Sequence, residues 1–400
     1  MKVLIVNTSK TGGGAAIAAN RLAAALQRAG VDATFISRKK KFPAFYWERF
    51  VIWARNKFSR NNLFAIDIAN VGEDITKTAD FMKADIIHLH WTNQGFLSLR
   101  CIDRIFKSGK PVVWTLHDMW PCTAICHHAR DCDSYTTECK YCRLLQEPSA
   151  NDMANDVFHD KQKIYDNAKL NIVAVSTWLA DKVNSSILLK DKPVCVIPNT
   201  IPLERFVIIP KNEARHNIGL PADKQLIIFG AAKLDDPIKG FDFLIAALNL
   251  LVKKGMSNLH LLLFGNIKNA KETFLSAIPV TYTYFGLVDE DMLPQLFSAS
   301  DVSVSSSYYE TFGLTLIEAQ ACGCLPVSFN NSGQTDIIQH KENGYLAEYK
   351  SASDLAKGIE WALTEGRTTI TPQQLRQNVI EKYSDSVIAE EYIKLYKWIM

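Results

Sequence analysis

Short runs of β-branched and other apolar residues alternate along this chain with longer stretches of helical periodicity. Residues 1–7 form the first run, with the continuous apolar character of a strand buried on both faces of a parallel sheet. After a loop at 8–14, residues 15–28 (AAIAANRLAAALQR) are rich in strong helix formers. Gly30 then stands as a C-cap ahead of a second strand at 33–37. The same alternation predicts strands at 86–90, 112–116 and 171–175, which together make a Rossmann-like parallel sheet. Residues 198–221 carry prolines at 198, 202, 210 and 221 and read as a linker. Beyond it the rhythm restarts, with strands predicted at 225–229, 260–264, 281–285, 302–305 and 325–329. Near the end, Ile388, Tyr392, Leu395, Tyr396 and Ile399 recur at helical spacing and predict a terminal helix packed on a domain surface. The predicted fold class is α/β with two Rossmann-like doubly wound domains, over 1–199 and 200–375. A terminal stretch at 376–400 packs back on the first domain. Ligands of open α/β sheets sit beyond the carboxyl ends of the strands, so the cleft faced by both sheets is the expected site.

Length agrees with this division, because 400 residues exceed one ordinary core. A hydrophobic fraction of 48% and a charged fraction of 22% exclude disorder, collagen and coiled coil. The net charge of 45 − 42 = +3 gives no argument for nucleic acid. No apolar run reaches the roughly 20 residues of a membrane span, and the start lacks a signal peptide's cleavage site, so the expected location is cytoplasmic. In that reducing setting the nine cysteines are first tested as metal ligands.

Two loops carry candidate chemistry. Thr11-Gly12-Gly13-Gly14 joins a strand to a helix, where backbone N–H groups can approach an anion, or where glycine serves a tight turn alone. A dinucleotide fingerprint would need a third glycine at Ile17 and an acid after the second strand, yet that strand runs into Ser37-Arg38-Lys39-Lys40. A nicotinamide dehydrogenase is therefore disfavoured. The second loop follows the strand DVSVSSS and bears Glu310, and a helix then starts near Gly313. Free N–H groups at Phe312, Gly313 and Leu314 suit a diphosphate. Glu318, one turn into that helix, suits a ribose diol, and Glu310 a sugar hydroxyl. Two acids at a helix start are also explained by the helix dipole alone.

The spacing E-x7-E in E-T-F-G-L-T-L-I-E-A-Q-A-C-G, followed by a Pro-Val strand, resembles the nucleotide-sugar motif of the retaining glycosyltransferases of family 4, which have the GT-B fold. Ala231-Ala232-Lys233-Leu234 and Pro237-Ile238-Lys239-Gly240-Phe241 resemble the family's basic pair, which neutralises the donor diphosphate. Lys233 stands where arginine is commoner, keeping charge but losing the bidentate fork. Ile197-Pro198-Asn199-Thr200 is similar to an I-P-N-G segment, and Gly333-Gln334-Thr335-Asp336 to a G-x-x-E loop, each with one departure. Trp114-Thr115-Leu116-His117-Asp118 ends a strand, and the resemblance implies that His117 contacts the donor sugar. A strand-end histidine is otherwise structural.

Residues 126–142 place Cys126, Cys132, Cys139 and Cys142 within a loop that has no core of its own, inside a Cys-rich insert at 122–145. Four thiolates at this spacing can close a structural zinc site, with Cys122, His127 and His128 as substitutes, or they stand as free thiols. A subset of family 4 resembles this chain in carrying such an insert after H-D-M-W. Residues 38–60 hold eight Arg/Lys against one Glu, interleaved with seven aromatics. A helix over 44–58 would either rest on an anionic membrane surface or pack its aromatics inward.

The resemblance implies transfer of a sugar, with retention, from a nucleotide-diphosphate sugar to a saccharide or lipid-linked saccharide acceptor, as in surface polysaccharide biosynthesis. No catalytic metal is expected. Lys239, Glu310 and His117 are the expected catalytic residues, and Gly12–Gly14, Lys233, Phe312–Leu314 and Glu318 the expected donor contacts. A GT-B sugar-nucleotide epimerase and a non-catalytic sugar-nucleotide-binding protein are the alternatives.

Overall fold

In the computed structural model, which describes residues 1–38, 43–269 and 271–400, the apolar runs form twelve strands in two parallel sheets. The first sheet holds β1 (Lys2–Val6), β2 (Asp32–Ile36), β3 (Ile86–Leu89), β4 (Val112–Leu116), β5 (Leu170–Ala174) and β6 (Val194–Val196), in the order β2-β1-β3-β4-β5-β6. The second holds β7 (Gln225–Lys233), β8 (Leu259–Asn266), β9 (Thr281–Tyr284), β10 (Val302–Ser305), β11 (Leu325–Phe329) and β12 (Tyr345–Ala347), in the order β12-β11-β10-β7-β8-β9. Every strand pairing is parallel, so each strand needs a crossover, and helices supply most of them.

The chain divides into two compact units, Met1–Asn199 with Ile388–Met400, and Thr200–Val387. In the first, Val3, Ile5, Ile86, Val113 and Val173 from the strands pack on Leu22 and Leu26 of the helix Gly14–Arg28. The helix Asp385–Ile399 adds Ile388, Tyr392 and Tyr396 to this core, at the spacing of one helical face. In the second unit, Ile227, Phe229, Leu261, Val302 and Val327 pack on Leu244, Leu248 and Leu355. The helix Pro372–Tyr383 stays with the second unit, burying Leu375 and Val379. Its start is fixed by a capping box between Thr371 and Gln374. The return to the first unit begins at Ile388.

The proline-rich stretch is more ordered than a linker. Lys211–Asn217 is helical, and Ile201 bridges in parallel to Ser384. The helix Ala44–Arg55 ends three residues short of the predicted 58, because Lys57 and Phe58 adopt left-handed backbone. Its orientation also differs from an inward-packed aromatic helix. Tyr46, Trp47 and Phe50 are exposed, while Glu48 and Arg49 are buried. Lys39, Lys40, Lys41 and Phe42, part of the basic aromatic stretch, lie outside the described residues. Among the described residues no helix is long and apolar enough to cross a membrane.

Candidate functional site

Strand order reverses between β7 and β10 in the second sheet and between β1 and β3 in the first. Such a reversal leaves a crevice at the carboxyl ends of the two strands, where their crossovers part to opposite faces. In the second unit Lys233 ends β7, Lys239 closes the short turn Pro237–Lys239 that follows, and Glu310 lies on the loop after β10. Lys239 Nζ and Glu310 Oε2 are 2.8 Å apart, although 71 positions separate them. Burial draws the Lys239 ammonium towards neutrality, but the Glu310 carboxylate outweighs it and raises its pKa above the ordinary lysine value.

The two loops are fastened to one another. Tyr308 N donates to Ile238 O at 2.8 Å, and Ser306 Oγ donates to the carbonyls of Lys239 (3.1 Å) and Gly240 (2.7 Å). Gly240 must be glycine on two counts. Its φ of 63° is left-handed, and a Cβ there would meet Ser306 O at 2.0 Å. Gly240→Ala is expected to cost more than about 1 kcal/mol and to displace the Lys239 turn, read as a lower melting midpoint. An unchanged midpoint would show that the loops do not need this close approach.

The segment 331–336 buttresses Glu310. Ser332 Oγ accepts from Glu310 N at 3.0 Å, Gly333 N donates to Glu310 O at 2.9 Å, and Asn331 Nδ2 donates to Tyr308 O at 2.6 Å. The helix Leu314–Ala321 begins at Gly313, whose φ is 110°. Phe312 is buried edge-to-face on Tyr383, and Glu318 is buried within that helix. Thr200, where the resembled motif has glycine, is buried. Its hydroxyl donates to Asp385 Oδ1 (2.6 Å) and lies 3.2 Å from Tyr383 O, so it serves the fold.

In the first unit, Gly12 and Gly13 have φ of 81° and 86° just ahead of the helix Gly14–Arg28, and added Cβ atoms would meet nothing within 4 Å. Backbone conformation, not crowding, therefore requires glycine in this exposed turn. His117 follows β4, and its Nε2 lies 2.9 Å from His90 Nδ1. The neighbouring Asp118 belongs to a buried charge network that sequence reasoning did not find. His127 Nδ1 lies 2.7 Å from Asp118 Oδ2, and His127 Nε2 lies 2.6 Å from Asp67 Oδ2. Asp67 in turn binds Arg49, which also faces Glu48. Burial opposes charge on His127, but the two carboxylates outweigh it and raise its pKa to about 10. Burial likewise opposes charge on Asp118, yet His127 and a hydrogen bond from Trp120 N lower it to about 2. The H-D-M-W segment gave Asp118. Nothing in the spacing marked Asp67 or Glu48 as its company.

The structure does not support the zinc reading. Cys126, Cys132, Cys139 and Cys142 are free thiols, and among the described residues no group of three or more His, Cys, Asp or Glu is disposed to hold a metal ion. Burial pushes Cys139 and Cys142 up to about 12 and raises Cys126. Hydrogen bonds order the insert instead. Asp67 N donates to Ile125 O at 2.8 Å, Cys142 N to Asp152 Oδ2 at 2.7 Å, and the fully buried Lys161 to the carbonyls of Trp120 (2.6 Å) and Thr123 (2.9 Å).

The two doubly wound sheets define a GT-B architecture. Sucrose-phosphate synthase from Thermosynechococcus elongatus has the same fold, with a TM-score of 0.71 and 19% identity over 100% of this chain and 98% of that one. HepE of Anabaena, solved with UDP and glucose, matches 100% of both chains at a TM-score of 0.63 and 15% identity. Residues 12–205 match the family described as Glycosyltransferase Family 4, and residues 210–382 that described as Glycosyl transferases group 1. The chain thus carries a family 4 glycosyltransferase domain followed by a group 1 glycosyltransferase domain. An uncharacterized glycosyltransferase of Methanocaldococcus jannaschii is 29% identical over 57% of this chain, and a poly(ribitol-phosphate) alpha-N-acetylglucosaminyltransferase of Staphylococcus aureus is 28% identical over 54%. The matched stretch spans 60% of the first relative and 44% of the second.

Proposed function

We propose that this protein is a retaining glycosyltransferase that moves a sugar from a nucleotide-diphosphate sugar to a saccharide or lipid-linked saccharide acceptor in surface polysaccharide biosynthesis. The observation that carries the reading is the Lys239–Glu310 pair at the β7/β10 crevice, beside the glycine-started helix Leu314–Ala321. In this reading Lys233, Lys239 and the N–H groups at Phe312–Leu314 offset the charge that grows on the leaving diphosphate. Glu318 holds the ribose, Glu310 and His117 orient the sugar, and Gly12–Gly14 add backbone donors. The acceptor oxygen bonds to the anomeric carbon as the bond from that carbon to the diphosphate oxygen breaks. The electron pair leaves with the diphosphate, which takes the acceptor's proton. Attack and departure on one face preserve the anomeric configuration. The HepE complex with UDP makes UDP-sugars the first donors to try.

Thermal-shift screening of UDP-, GDP- and ADP-sugars tests the donor site, because a ligand of the native state raises its melting midpoint. A shift that is absent for every donor, or unaffected by Lys239→Ala, would sink the assignment. NMR of the anomeric proton in the product tests retention. Donor binding without transfer would leave a binding protein, and donor turnover without acceptor an epimerase.

The same reading places the protein at the inner face of a membrane, where a lipid-linked acceptor would be met. It is supported by the exposed Tyr46, Trp47 and Phe50, which share the helix Ala44–Arg55 with the cation Arg55. Trp47→Ser/Phe50→Ser is expected to reduce co-sedimentation with phosphatidylglycerol vesicles about tenfold, given the cost of exposing two fewer aromatics to the interface. Equal binding of both proteins would exclude this face.

A further inference from the structure

His88, His90 and His117 form a packed row at the ends of β3 and β4, with ring centroids 4.3 Å apart for His88 and His90 and 5.2 Å for His90 and His117. His88 is satisfied on both nitrogens, by Tyr396 Oη (2.7 Å) and Thr115 Oγ1 (2.7 Å), and Thr115 is bonded in turn to Tyr392 Oη (2.9 Å). The helix Asp385–Ile399 thereby backs the row. His90 differs, because its Nδ1 bonds His117 Nε2 while its own Nε2 is buried with no partner. Its backbone leaves little freedom to turn away, since His90 N donates to Val6 O (2.9 Å) and its carbonyl accepts from Trp114 Nε1 (2.9 Å).

One hydrogen bond between two neutral imidazoles has one donor and one acceptor, which leaves two arrangements. If His117 donated, the proton of His90 would sit on the buried Nε2 and become an orphaned N–H. If His90 donates from Nδ1, the orphan is a lone pair, and buried groups lacking a partner are less often N–H donors than acceptors. Burial lowers all three pKa values, His88 to about 3 and His117 to about 4, so neutral rings are the relevant state at pH 7.

We propose that His90 is a positioning residue that holds His117 as the Nδ1–H tautomer, so that His117 offers a hydrogen-bond donor to a sugar oxygen. This rests on the reading that His117 faces the sugar, but the tautomer is measurable without any substrate. His117 then acts as a donor of a hydrogen bond and not as a base. Its ring orientation is inherited from His90, backed by His88 and the terminal helix.

The test is the long-range ¹H–¹⁵N correlation spectrum of the full chain labelled with ¹⁵N-histidine, assigned by single His→Gln variants. The expected result is a pyrrole-type Nδ1 and a pyridine-type Nε2 for His117, and a pyridine-type Nε2 for His90. His90→Leu is expected to release His117 towards the Nε2–H tautomer and to lower kcat about tenfold or more with little change in donor KM. His90→Asn, whose amide can replace the Nδ1 donor, restores both. A wild-type His117 with Nε2–H overturns the proposal, even if His90→Leu fails to fold. An unchanged His117 tautomer in a folded His90→Leu also overturns it. If the Nδ1–H form is found but His117→Ala transfers sugar at the wild-type rate, the sugar contact fails while the role of His90 stands.

Discussion

Lys239→Ala is expected to lower kcat for sugar transfer by about 100- to 1,000-fold, the usual loss when one preorganised electrostatic stabiliser is removed. The argument turns on where charge appears. As the bond to the anomeric carbon breaks, the diphosphate gains negative charge that the ground state shares with the sugar. A cation held at that point favours the transition state over the bound donor. In the proposed mechanism Lys239 is that cation, fixed by the Glu310 carboxylate at 2.8 Å and by a turn that the loop after β10 fastens in place. The pair also keeps the ammonium protonated through neutral pH, because Glu310 overcomes the cost of burial. Glu310→Gln is expected to reduce kcat as well, since it loosens the lysine and, in the proposed mechanism, alters the sugar contact. Steady-state kinetics with the donor that gives the largest thermal shift would check both. A Lys239→Ala enzyme with kcat within about threefold of wild type, and only KM raised, would assign Lys239 to donor binding alone.

The strands that build both crevices were legible because parallel sheets bury both faces and write continuous apolar runs into the chain. β6 and β12 escaped, each only three residues long at a sheet edge, too short to write a pattern into the chain. The candidate donor-side residues Glu310, Gly313 and Glu318 fall within one short segment, but the pairing of Glu310 with Lys239 joins positions 71 apart and has no trace in local spacing. For the helix Ala44–Arg55 the aromatic pattern left two orientations open, aromatics inward or on the surface. Tyr46, Trp47 and Phe50 are exposed, while Glu48 and Arg49 are buried along with Ala44 and Ile52, because Asp67 and the N–H groups of Ile68 and Ala69 supply partners for the charged pair. The cysteines show the converse. Spacing fitted a metal, while the fold leaves Cys139 buried and Cys126, Cys132 and Cys142 half-buried in a loop already ordered by Asp152 and Lys161.

The charge network under His117 carries the largest expected effect on stability. His127→Asn should destabilise the full-length protein by about 3–5 kcal/mol at pH 6, because removing one partner leaves buried charge uncompensated. Asp67 would keep Arg49, but Asp118 would lose its ion-pair partner and keep the neutral donors Trp91 Nε1 at 2.7 Å and Trp120 N at 2.9 Å. The sign with pH follows from the proton count. The folded pKa of His127, about 10, lies above its ordinary 6.5, so the folded state holds a proton that the unfolded state releases. Its contribution is complete below about 6.5 and fades as pH rises towards about 10. Asp118 behaves oppositely: depressed to about 2 from 3.8, it contributes above pH 3.8 and loses that contribution as acid protonates it. Glu48, raised from 4.5 to about 7 chiefly by burial and then by Asp67, makes stability fall as pH climbs from 4.5 to about 7. Wild-type stability should therefore peak on the acid side of neutrality, and the gap to His127→Asn should narrow steadily from pH 6.5 to 10. Urea titrations followed by tryptophan fluorescence check this, with Trp91 and Trp120 reporting from within the network. Asp118→Asn added to His127→Asn should recover part of the loss, because a neutral pair leaves no stranded charge. A gap below about 1 kcal/mol at pH 6, or one that stays constant up to pH 10, would mean that His127 is held by packing and not by the two carboxylates.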